Sequence, residues 1–227
     1  MNVCVIPVKP FSCAKERLSD LLSPGERATL AQAMYQDVLA AVMQTARRSR
    51  ILVVSADPVA RDLAKRSGAV AYAESDPRGQ SASVELAARL AHEMGGTALL
   101  ALPIDVPLIT PADVIGLWAR FRRLRRRHGG GTPLALMAPA RDGQGTNALL
   151  RCPPDSLACR FGPDSLRRHM QAAAAAGVVY DLWENPRLAL DIDTPEDLAA
   201  FLAFGPPAAA LHTGRALRRM NAVERVP

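Results

Sequence analysis

The alternation of short apolar strands with amphipathic helices is the feature that most constrains the fold of this 227-residue chain. Runs rich in Val, Leu and Ala alternate with segments that begin at Ser, Thr or Pro and often end at Gly. This order predicts an α/β fold, with a central and mostly parallel sheet between helices. The predicted strands are, in chain order, Val3–Val8, Ile51–Ser55, Val70–Tyr72, Thr97–Leu102, Thr132–Ala138, Ala148–Arg151 and Val178–Leu182.

The same pattern predicts six helices and a single domain. Ser23 gives the clearest helix start, because it can cap a helix with Pro24 at the first position and Glu26 at the third. Residues 1–204 are interpreted as one domain, and residues 205–227 as a basic tail rich in Ala, Pro and Arg, either disordered or an arm against a partner. The predicted helices are Pro24–Arg47, Pro58–Ser67, Ser81–Glu93, Pro111–Arg127, Asp164–Ala176 and Pro195–Phe204.

Composition and targeting signals narrow the class of protein. The formal net charge of +6 is compatible with an anionic ligand but does not establish one. Lys9 and Pro10 interrupt the first apolar run too early for a signal peptide, and no run reaches membrane-spanning length. The four cysteines form no C-x-x-C pair and the four histidines no H-E-x-x-H motif, so a cytoplasmic chain with free thiols is expected.

A cluster of cations follows the first predicted strand. Lys9, Lys15 and Arg17 lie in the stretch "VKPFSCAKERLS", where Glu16 is the acidic residue. Ligands of parallel α/β sheets bind beyond the carboxyl ends of the strands. The sequence therefore predicts an anion site in this loop.

Three aspartates are candidates for a metal site. On a strand, Asp191 and Asp193 of "DIDTPEDL" would share one face, where two carboxylates repel unless a cation lies between them. Thr194 can cap the following helix by itself, although an aspartate cap remains an alternative. Asp105 of "LPIDVP" is either a turn former or a third ligand at the same rim. Together the three predict a Mg²⁺ site that also holds phosphates.

Two further motifs predict a small anionic ligand. In "GQGTNALL", small residues followed by Thr146 and Asn147 let the backbone approach a ligand closely. In "RFGPDSLRRH", Gly162 and Ser165 lie at a helix N-terminus, which favours a phosphate or carboxylate, although an ordinary cap is the alternative. His169 lies one turn into that helix and is either a ligand or a core histidine.

The basic run "ARFRRLRRRHGGG" is interpreted as the solvated face of a helix. Leu117, Phe121 and Leu124 have helical spacing and are expected to be buried. The arginines would then face solvent. No nucleic-acid-binding module is recognisable, so neither nucleic acid nor membrane is an expected partner.

Five motifs in register carry a resemblance over residues 3–203. They are "IPVKPFSCAKERLS", "LPIDVP", "GTN", "FGPDSLRRH" and "DIDTPEDL". The chain resembles the 2-phospho-L-lactate guanylyltransferase family of deazaflavin coenzyme biosynthesis. The resemblance implies a single-domain nucleotidyltransferase fold, which is Rossmann-like and similar to that of glycosyltransferase-A domains. It also implies transfer of GMP from GTP to a small phosphorylated carboxylic acid, with release of pyrophosphate.

The resemblance also implies roles for individual residues. Lys9, Lys15 and Arg17 correspond to a clamp on the GTP phosphates. Lys9, Lys15 and Asp105 are the expected catalytic residues. The other expected contacts are Asp105, Asp191 and Asp193 for Mg²⁺, and Thr146, Gly162 and Ser165 for the acid.

Two positions depart from the family pattern. Ser81 stands where Asn is usual, which puts nucleotide-base contacts there in doubt. Ile104 replaces a smaller residue and is expected to shape the acid pocket. With a composition typical of bacteria, this favours 3-phospho-D-glycerate, then phosphoenolpyruvate, then 2-phospho-L-lactate.

Alternative functions remain open from the sequence. One is a nucleotidyltransferase of the same fold that acts on a sugar phosphate or on molybdopterin. Such enzymes usually begin with a G-G-x-x-x-R-M loop, where this chain has Pro7-Val8-Lys9-Pro10. Another is a non-catalytic binder of nucleotides or nucleic acid. Expected partners are GTP and the acid, with a homodimer, or an enzyme that takes the GDP-linked product, as further possibilities.

Overall fold

A seven-stranded sheet forms the centre of the protein. The computed structural model describes residues 1–46 and 49–226. The strands are β1 (Asn2–Val8), β2 (Arg50–Ser55), β3 (Val70–Ala73), β4 (Ala98–Ala101), β5 (Leu134–Pro139), β6 (Thr146–Cys152) and β7 (Val179–Leu182). Their spatial order is β3-β2-β1-β4-β6-β5-β7, and four of the six neighbouring pairs are parallel. The predicted α/β class with a mostly parallel sheet is confirmed.

Helices cover both faces of the sheet. They are α1 (Pro24–Met43), α2 (Pro58–Arg66), α3 (Gln80–Glu93), α4 (Pro111–His128), α5 (Ser165–Ala175), α6 (Pro186–Ala189), α7 (Pro195–Leu202), α8 (Pro206–Ala210) and α9 (His212–Arg219). Ser23 caps α1 in a complete capping box with Glu26, as predicted. The predicted end of this helix at Arg47 lies outside the described residues. None of the helices in residues 1–46 and 49–226 combines the length and apolarity that crossing a membrane needs.

Alternation along β1 explains the two-sided core. Val3 and Val5 pack with the apolar side of α3, including Val84. Cys4 and Ile6 point to the opposite face and belong to the cluster that α1 and α4 cover. Successive side chains of a strand point to opposite faces, so a strand that is apolar throughout must be covered on both sides.

The topology opens a crevice beyond β1. This strand pairs in parallel with β2 on one side and with β4 on the other. The chain thus builds the sheet outward from β1 on both sides. Ligands of such sheets bind in the crevice at this switch point, beyond the carboxyl ends of the strands. β6 runs antiparallel to β4 and β5. Its first residue, Thr146, therefore lies at the same edge as the carboxyl end of β4.

Asp191 and Asp193 do not lie on a strand. The sequence placed Asp191 and Asp193 on a strand, but residues 190–194 lie outside the sheet, between α6 and α7. The backbone N–H of Ile192 instead donates to the carbonyl oxygen of Asp105 at 2.9 Å. Ile192 is fully buried while both aspartates stay partly exposed, so the alternation that the sequence suggested survives without a strand.

The segment after residue 204 packs against α1. The carboxylate of Asp37, on α1, accepts hydrogen bonds from the backbone N–H groups of His212 and Thr213 and from the Thr213 hydroxyl. Arg225 forms an ion pair with Glu26 near the start of α1. The sequence offered a disordered tail or an arm against a partner, whereas the structure shows helices that cover the domain's own surface.

The arginine-rich helix is arranged as predicted. Leu117, Phe121 and Leu124 of α4 are buried. Arg120 forms an ion pair with Asp181, and the arginines of the last two turns are exposed. All four cysteines are free thiols.

Candidate active site

A buried lysine forms the centre of the site. The Nζ atom of Lys15 lies 3.0 Å from Oδ2 of Asp105 and 2.8 Å from Oδ1 of Asp193. The Lys15 side chain is only 5% exposed. Three stretches distant in sequence therefore meet at one ammonium group: the loop after β1, the turn after β4 and the segment before α7.

The backbone of Lys15 is unusual. Its φ of 57° and ψ of 43° place it in the left-handed region, which side chains other than Gly seldom adopt. Such conformations persist where the surrounding structure holds them, and they concentrate at functional sites. Here the two carboxylates fix the end of the side chain. The left-handed turn thus directs an otherwise flexible lysine inward.

The charges at this centre stabilise one another. Burial alone would lower the pKa of Lys15, but Asp105 and Asp193 outweigh burial and raise it. Burial would raise the pKa of Asp193, but the attraction of Lys15 outweighs it and lowers that pKa. Both groups are consequently charged near neutral pH.

Asp191 lies beside this centre in a different electrostatic environment. Burial and the negative charge of Asp105 raise its pKa to about 6. Its carboxylate accepts a hydrogen bond of 2.9 Å from the side-chain amide of Asn147. Asn147 also donates to the carbonyl oxygen of Leu188, which joins β6 to α6. The site thus holds one carboxylate whose charge the protein does not neutralise.

The first of two cavities lies beside β6 and α5. We call it the Thr146 cavity; it has a volume of about 380 Å³ and its lining includes Thr146, Gly162 and Ser165. Gly162 has a φ of +111°, a conformation that L side chains rarely adopt. This glycine lets the loop "RFGPDS" turn back onto α5, so Ser165 comes within 3.2 Å of Thr146.

A neutral histidine orients the hydroxyl of Thr146. The backbone N–H of Arg160 donates to Nε2 of His169, so Nδ1 carries the proton and donates to Oγ1 of Thr146 at 3.0 Å. Burial and the positive charge of Arg151 lower the pKa of His169 to about 4. Since Ser165 also donates to the Thr146 oxygen, the Thr146 hydrogen is left to donate into the cavity.

The second cavity lies over the carboxyl ends of β1 and β4. We call it the Ile104 cavity; it has a volume of about 630 Å³, and Asp105 and Asp193 line both cavities. Its lining includes Pro7, Lys9, Lys15, Glu74, Pro77, Pro103 and Ile104. The buried ion pair around Lys15 therefore stands between the two spaces.

The predicted site residues meet at this edge of the sheet. Asp105, Asp191 and Asp193 all line the Thr146 cavity, together with Thr146, Gly162 and Ser165. Lys9 and Lys15 line the Ile104 cavity, and Arg17 lies at the rim with its side chain 72% exposed and 4.0 Å from Asp193. His169 is fully buried and reaches the cavity through Thr146 rather than directly.

The two positions that depart from the family pattern lie at different places. Ile104 lines the Ile104 cavity together with Pro7 of β1, while the lining of the Thr146 cavity does not include it. That Ile104 shapes the acid pocket therefore stays a prediction. The Ser81 hydroxyl accepts a hydrogen bond from the backbone N–H of Phe161, which ties α3 to the loop before α5.

The sequence named Asn147 beside Thr146 but predicted no specific contact for it, and it did not point to Glu74. Asn147 follows Thr146 in the quoted "GTN", and its amide proves to hold both Asp191 and the chain at α6. A polar side chain in an otherwise apolar strand was the available signal. Glu74 follows β3 and lines the Ile104 cavity, and no motif pointed to it.

Structural neighbours define the class. The fold resembles a protein of Desulfovibrio desulfuricans described as a nucleotide-diphospho-sugar transferase, with a TM-score of 0.71 at 18% identity over 99% of this chain and 98% of that one. It also resembles CMP:2-keto-3-deoxy-manno-octonic acid synthetase, with a TM-score of 0.56 at 16% identity over 89% and 97% of the two chains. The protein has the fold of the nucleotidyltransferases.

The family follows from the sequence match. The chain belongs to the family described as "Guanylyl transferase CofC like", which matches residues 1–222. The phosphoenolpyruvate guanylyltransferase of Conexibacter woesei is 40% identical over 86% of this chain and 85% of its own, and that of Rubrobacter xylanophilus is 42% identical over 88% and 93%. The 3-phospho-D-glycerate guanylyltransferase of Colwellia psychrerythraea is 34% identical over 89% and 92%. The resemblance inferred from the five motifs is confirmed.

Proposed function

We propose that this enzyme transfers GMP from GTP to the phosphate of a phosphorylated three-carbon carboxylic acid and releases pyrophosphate. One observation supports this most directly: a buried Lys15–Asp105–Asp193 centre separates two cavities of different character. Two substrates that must react with each other would occupy the two cavities and meet at that centre. Family membership supports the guanylyl group as the part transferred.

The chemistry requires little from a general base. A phosphate oxygen of the acid attacks the α-phosphorus of GTP, and the bond from that phosphorus to the bridging oxygen breaks. Pyrophosphate leaves with the bonding electron pair. A phosphate monoester is largely dianionic near pH 7, so its oxygen attacks without losing a proton first. Positioning and neutralisation of phosphate charge are the main catalytic tasks.

Cations of graded exposure would meet the triphosphate. Lys15 is buried and held by two carboxylates, so it offers a fixed positive charge beside the α-phosphate. Lys9 is exposed in the lining of the Ile104 cavity, and Arg17 is exposed at the rim. Both exposed side chains are free to follow the β- and γ-phosphates and the departing pyrophosphate.

Neutral donors would bind the acid in the Thr146 cavity. The Thr146 hydroxyl is oriented into this space by His169 and Ser165. The backbone N–H groups of Ser165 and Leu166, at the start of α5, already donate to the carbonyl oxygens of Gly162 and Gln144, so this helix start would favour an anion mainly through its dipole. A neutral donor that is held in place in this way recognises a carboxylate or phosphate by the position of its oxygen atoms, without a positively charged side chain.

Asp105, Asp191 and Asp193 would supply carboxylate ligands for a Mg²⁺ ion that is also held by substrate phosphates. The pKa of Asp191 is raised to about 6 by burial and by Asp105, so a cation there would relieve uncompensated negative charge. Within residues 1–46 and 49–226, no three His, Cys, Asp or Glu side chains form a ready-made metal cluster. Mg²⁺ commonly binds through one or two carboxylates plus substrate phosphates, which suits this arrangement. When bound, it would neutralise phosphate charge.

Phosphoenolpyruvate is the acid we propose first. The relatives from Conexibacter woesei and Rubrobacter xylanophilus carry that name at 40% and 42% identity, against 34% for the 3-phospho-D-glycerate relative. The sequence alone favoured 3-phospho-D-glycerate, partly through Ile104, and the location of Ile104 in the other cavity weakens that reason. Hand-over of the GDP-linked product to another enzyme remains part of this proposal.

Pyrophosphate release by the purified protein tests the proposal. GTP and Mg²⁺ are supplied with phosphoenolpyruvate, 3-phospho-D-glycerate or 2-phospho-L-lactate in parallel reactions. We expect release with phosphoenolpyruvate, and mass spectrometry of the product should find GDP joined to the acid. Folded protein that releases pyrophosphate with none of the three acids, yet does so with a sugar phosphate, would return the sugar-phosphate alternative to first place.

A further inference from the structure

We propose that Glu74 selects guanine by accepting hydrogen bonds from the N1–H and 2-amino groups of the base. This inference rests on the proposed function, because it takes the Ile104 cavity as the nucleotide site. It goes further by assigning the base end of that cavity and one residue that sets nucleotide preference.

Glu74 is a buried carboxylate with few partners. It lies directly after β3 and is only 8% exposed. The Ser83 hydroxyl, on α3, donates to it at 2.9 Å from Oε1 and 3.0 Å from Oε2. No Lys, Arg or His of the described chain forms an ion pair with it. Since an ionised carboxylate has about four acceptor positions, one hydroxyl leaves most of them unused.

An under-used buried carboxylate is costly unless a ligand completes it. Unpaired buried acceptors are destabilising, and those of a charged group more so. Ser83 fixes the direction of Glu74 without neutralising it. Because Glu74 lines the Ile104 cavity, the missing donors can come from a molecule bound there.

The surroundings of Glu74 suit a flat purine ring. Pro7, Pro77, Pro103 and Ile104 supply apolar walls to the same cavity. Lys9 and Lys15 line it too and would face the phosphates. Glu74 follows β3, whereas Lys9 and Lys15 follow β1, and β2 lies between these two strands in the sheet. A nucleotide with its phosphates at Lys15 would therefore extend its base toward Glu74.

Guanine matches this acceptor better than other bases. Its Watson–Crick edge offers two adjacent N–H donors, which a carboxylate can accept together. Adenine presents the N1 lone pair on that edge, which a carboxylate would repel. The start of α3 adds donors for the guanine O6, because Gly79 provides no side-chain cap to its first N–H groups. Sites built to pair with specific donors reject analogues that lack them.

Equilibrium binding to the wild-type protein is the first test. Isothermal titration compares GTP with ITP, which lacks the 2-amino group, with 1-methyl-GTP, which lacks the N1 hydrogen, and with ATP. We expect GTP to bind about 10- to 100-fold more tightly than each of the others. Equal affinity for GTP and ITP, or for GTP and ATP, would overturn the inference.

A Glu74→Gln variant provides the second test, with Glu93→Gln on the exposed end of α3 as the matched control. We expect Glu74→Gln to lose about 10- to 100-fold in affinity for GTP while ITP and ATP change less, so that discrimination collapses. An unchanged GTP-to-ITP ratio in a folded variant would contradict the inference. If circular dichroism shows that the variant is unfolded, the wild-type analogue series alone decides.

The two proposals can fail separately. Selective GTP binding without pyrophosphate release for any acid would leave the inference intact and defeat the proposed function. Pyrophosphate release at equal rates with GTP and ATP would retain nucleotidyl transfer and overturn the role of Glu74. Protein that binds none of the four nucleotides would overturn both.

Discussion

The two cavities that meet at Lys15 are built in different ways. The polar groups of the Thr146 cavity bind one another: His169 and Ser165 hold Thr146, and Asn147 holds Asp191. The Ile104 cavity has proline and aliphatic walls, and its Lys9 is exposed. The first is preorganised by hydrogen bonds, so it can select a small ligand by donor position. The second encloses more space and can accept a larger ligand.

The largest effect is expected where the two cavities join. Lys15→Met removes the cation that lies between Asp105 and Asp193 and leaves two carboxylates facing each other. We expect kcat/KM for both substrates to fall about 10³-fold, because a fixed charge at the reacting phosphate is lost. Steady-state pyrophosphate release measures this. Lys65→Met, an exposed lysine on α2, is the control and should keep wild-type rates.

A variant that lost affinity for only one substrate would break this expectation. If Lys15→Met raised KM for GTP alone, Lys15 would belong to the Ile104 cavity rather than to the junction. Unchanged kcat/KM in folded protein would remove Lys15 from the mechanism altogether.

The preorganised side is tested next through His169. His169→Ala removes the donor that holds the Thr146 hydroxyl, so we expect KM for the acid to rise about 10- to 100-fold with KM for GTP nearly unchanged. Asn can place an amide N–H close to the position of Nδ1. His169→Asn should therefore recover part of the loss. Equal effects on both substrates would indicate general disruption rather than positioning of Thr146.

The sequence allowed the rim that carries the site to be predicted, but not the contacts between its side chains. Strand alternation placed the "VKPFSCAKERLS" loop and the Asp105 turn on one rim, because the carboxyl ends of parallel strands share an edge. Sequence spacing could not show that the Lys15 ammonium would contact Asp193, since 178 residues separate them. The His169–Thr146 bond depends likewise on the antiparallel placement of β6, which periodicity does not reveal.

Other differences also have physical causes. Asp191 and Asp193 were expected on a strand because their alternation with Ile192 imitates one. The segment is only a short link between the end of α6 at Ala189 and Pro195 at the start of α7, and the Ile192 N–H donates to the Asp105 carbonyl oxygen rather than to the sheet. The start of α9 is capped by Asp37, a distant carboxylate that local sequence could not identify as its cap.

The lowered pKa of His169 leads to a prediction of how the stability of the protein varies with pH. Its pKa is about 4 in the folded protein, below the ordinary value of about 6.5. The unfolded chain binds more protons between these values, so stability falls as pH falls below about 6.5. We expect the wild type to lose about 2 kcal/mol more than His169→Asn between pH 7 and pH 5.

Urea unfolding at several pH values measures that difference. Asp191 has a raised pKa and acts in the opposite direction, but it is present in both proteins and its effect cancels in the comparison. His128→Asn, at the exposed end of α4, is the control and should follow the wild type. Parallel pH curves for wild type and His169→Asn would mean that His169 is not buried in its neutral form.

The smallest effect should separate the two cavities most cleanly. Ile104→Ala removes apolar contact area from the Ile104 cavity and leaves the lining of the Thr146 cavity as it is. We expect KM for GTP to rise about 3- to 10-fold, from the lost apolar burial, with the ranking of the three acids unchanged. Val114→Ala, a buried residue of α4 outside both linings, controls for loss of core packing. A changed acid ranking would restore the sequence-based expectation that Ile104 shapes the acid pocket, and it would mean that the two cavities are coupled through the Asp105 turn.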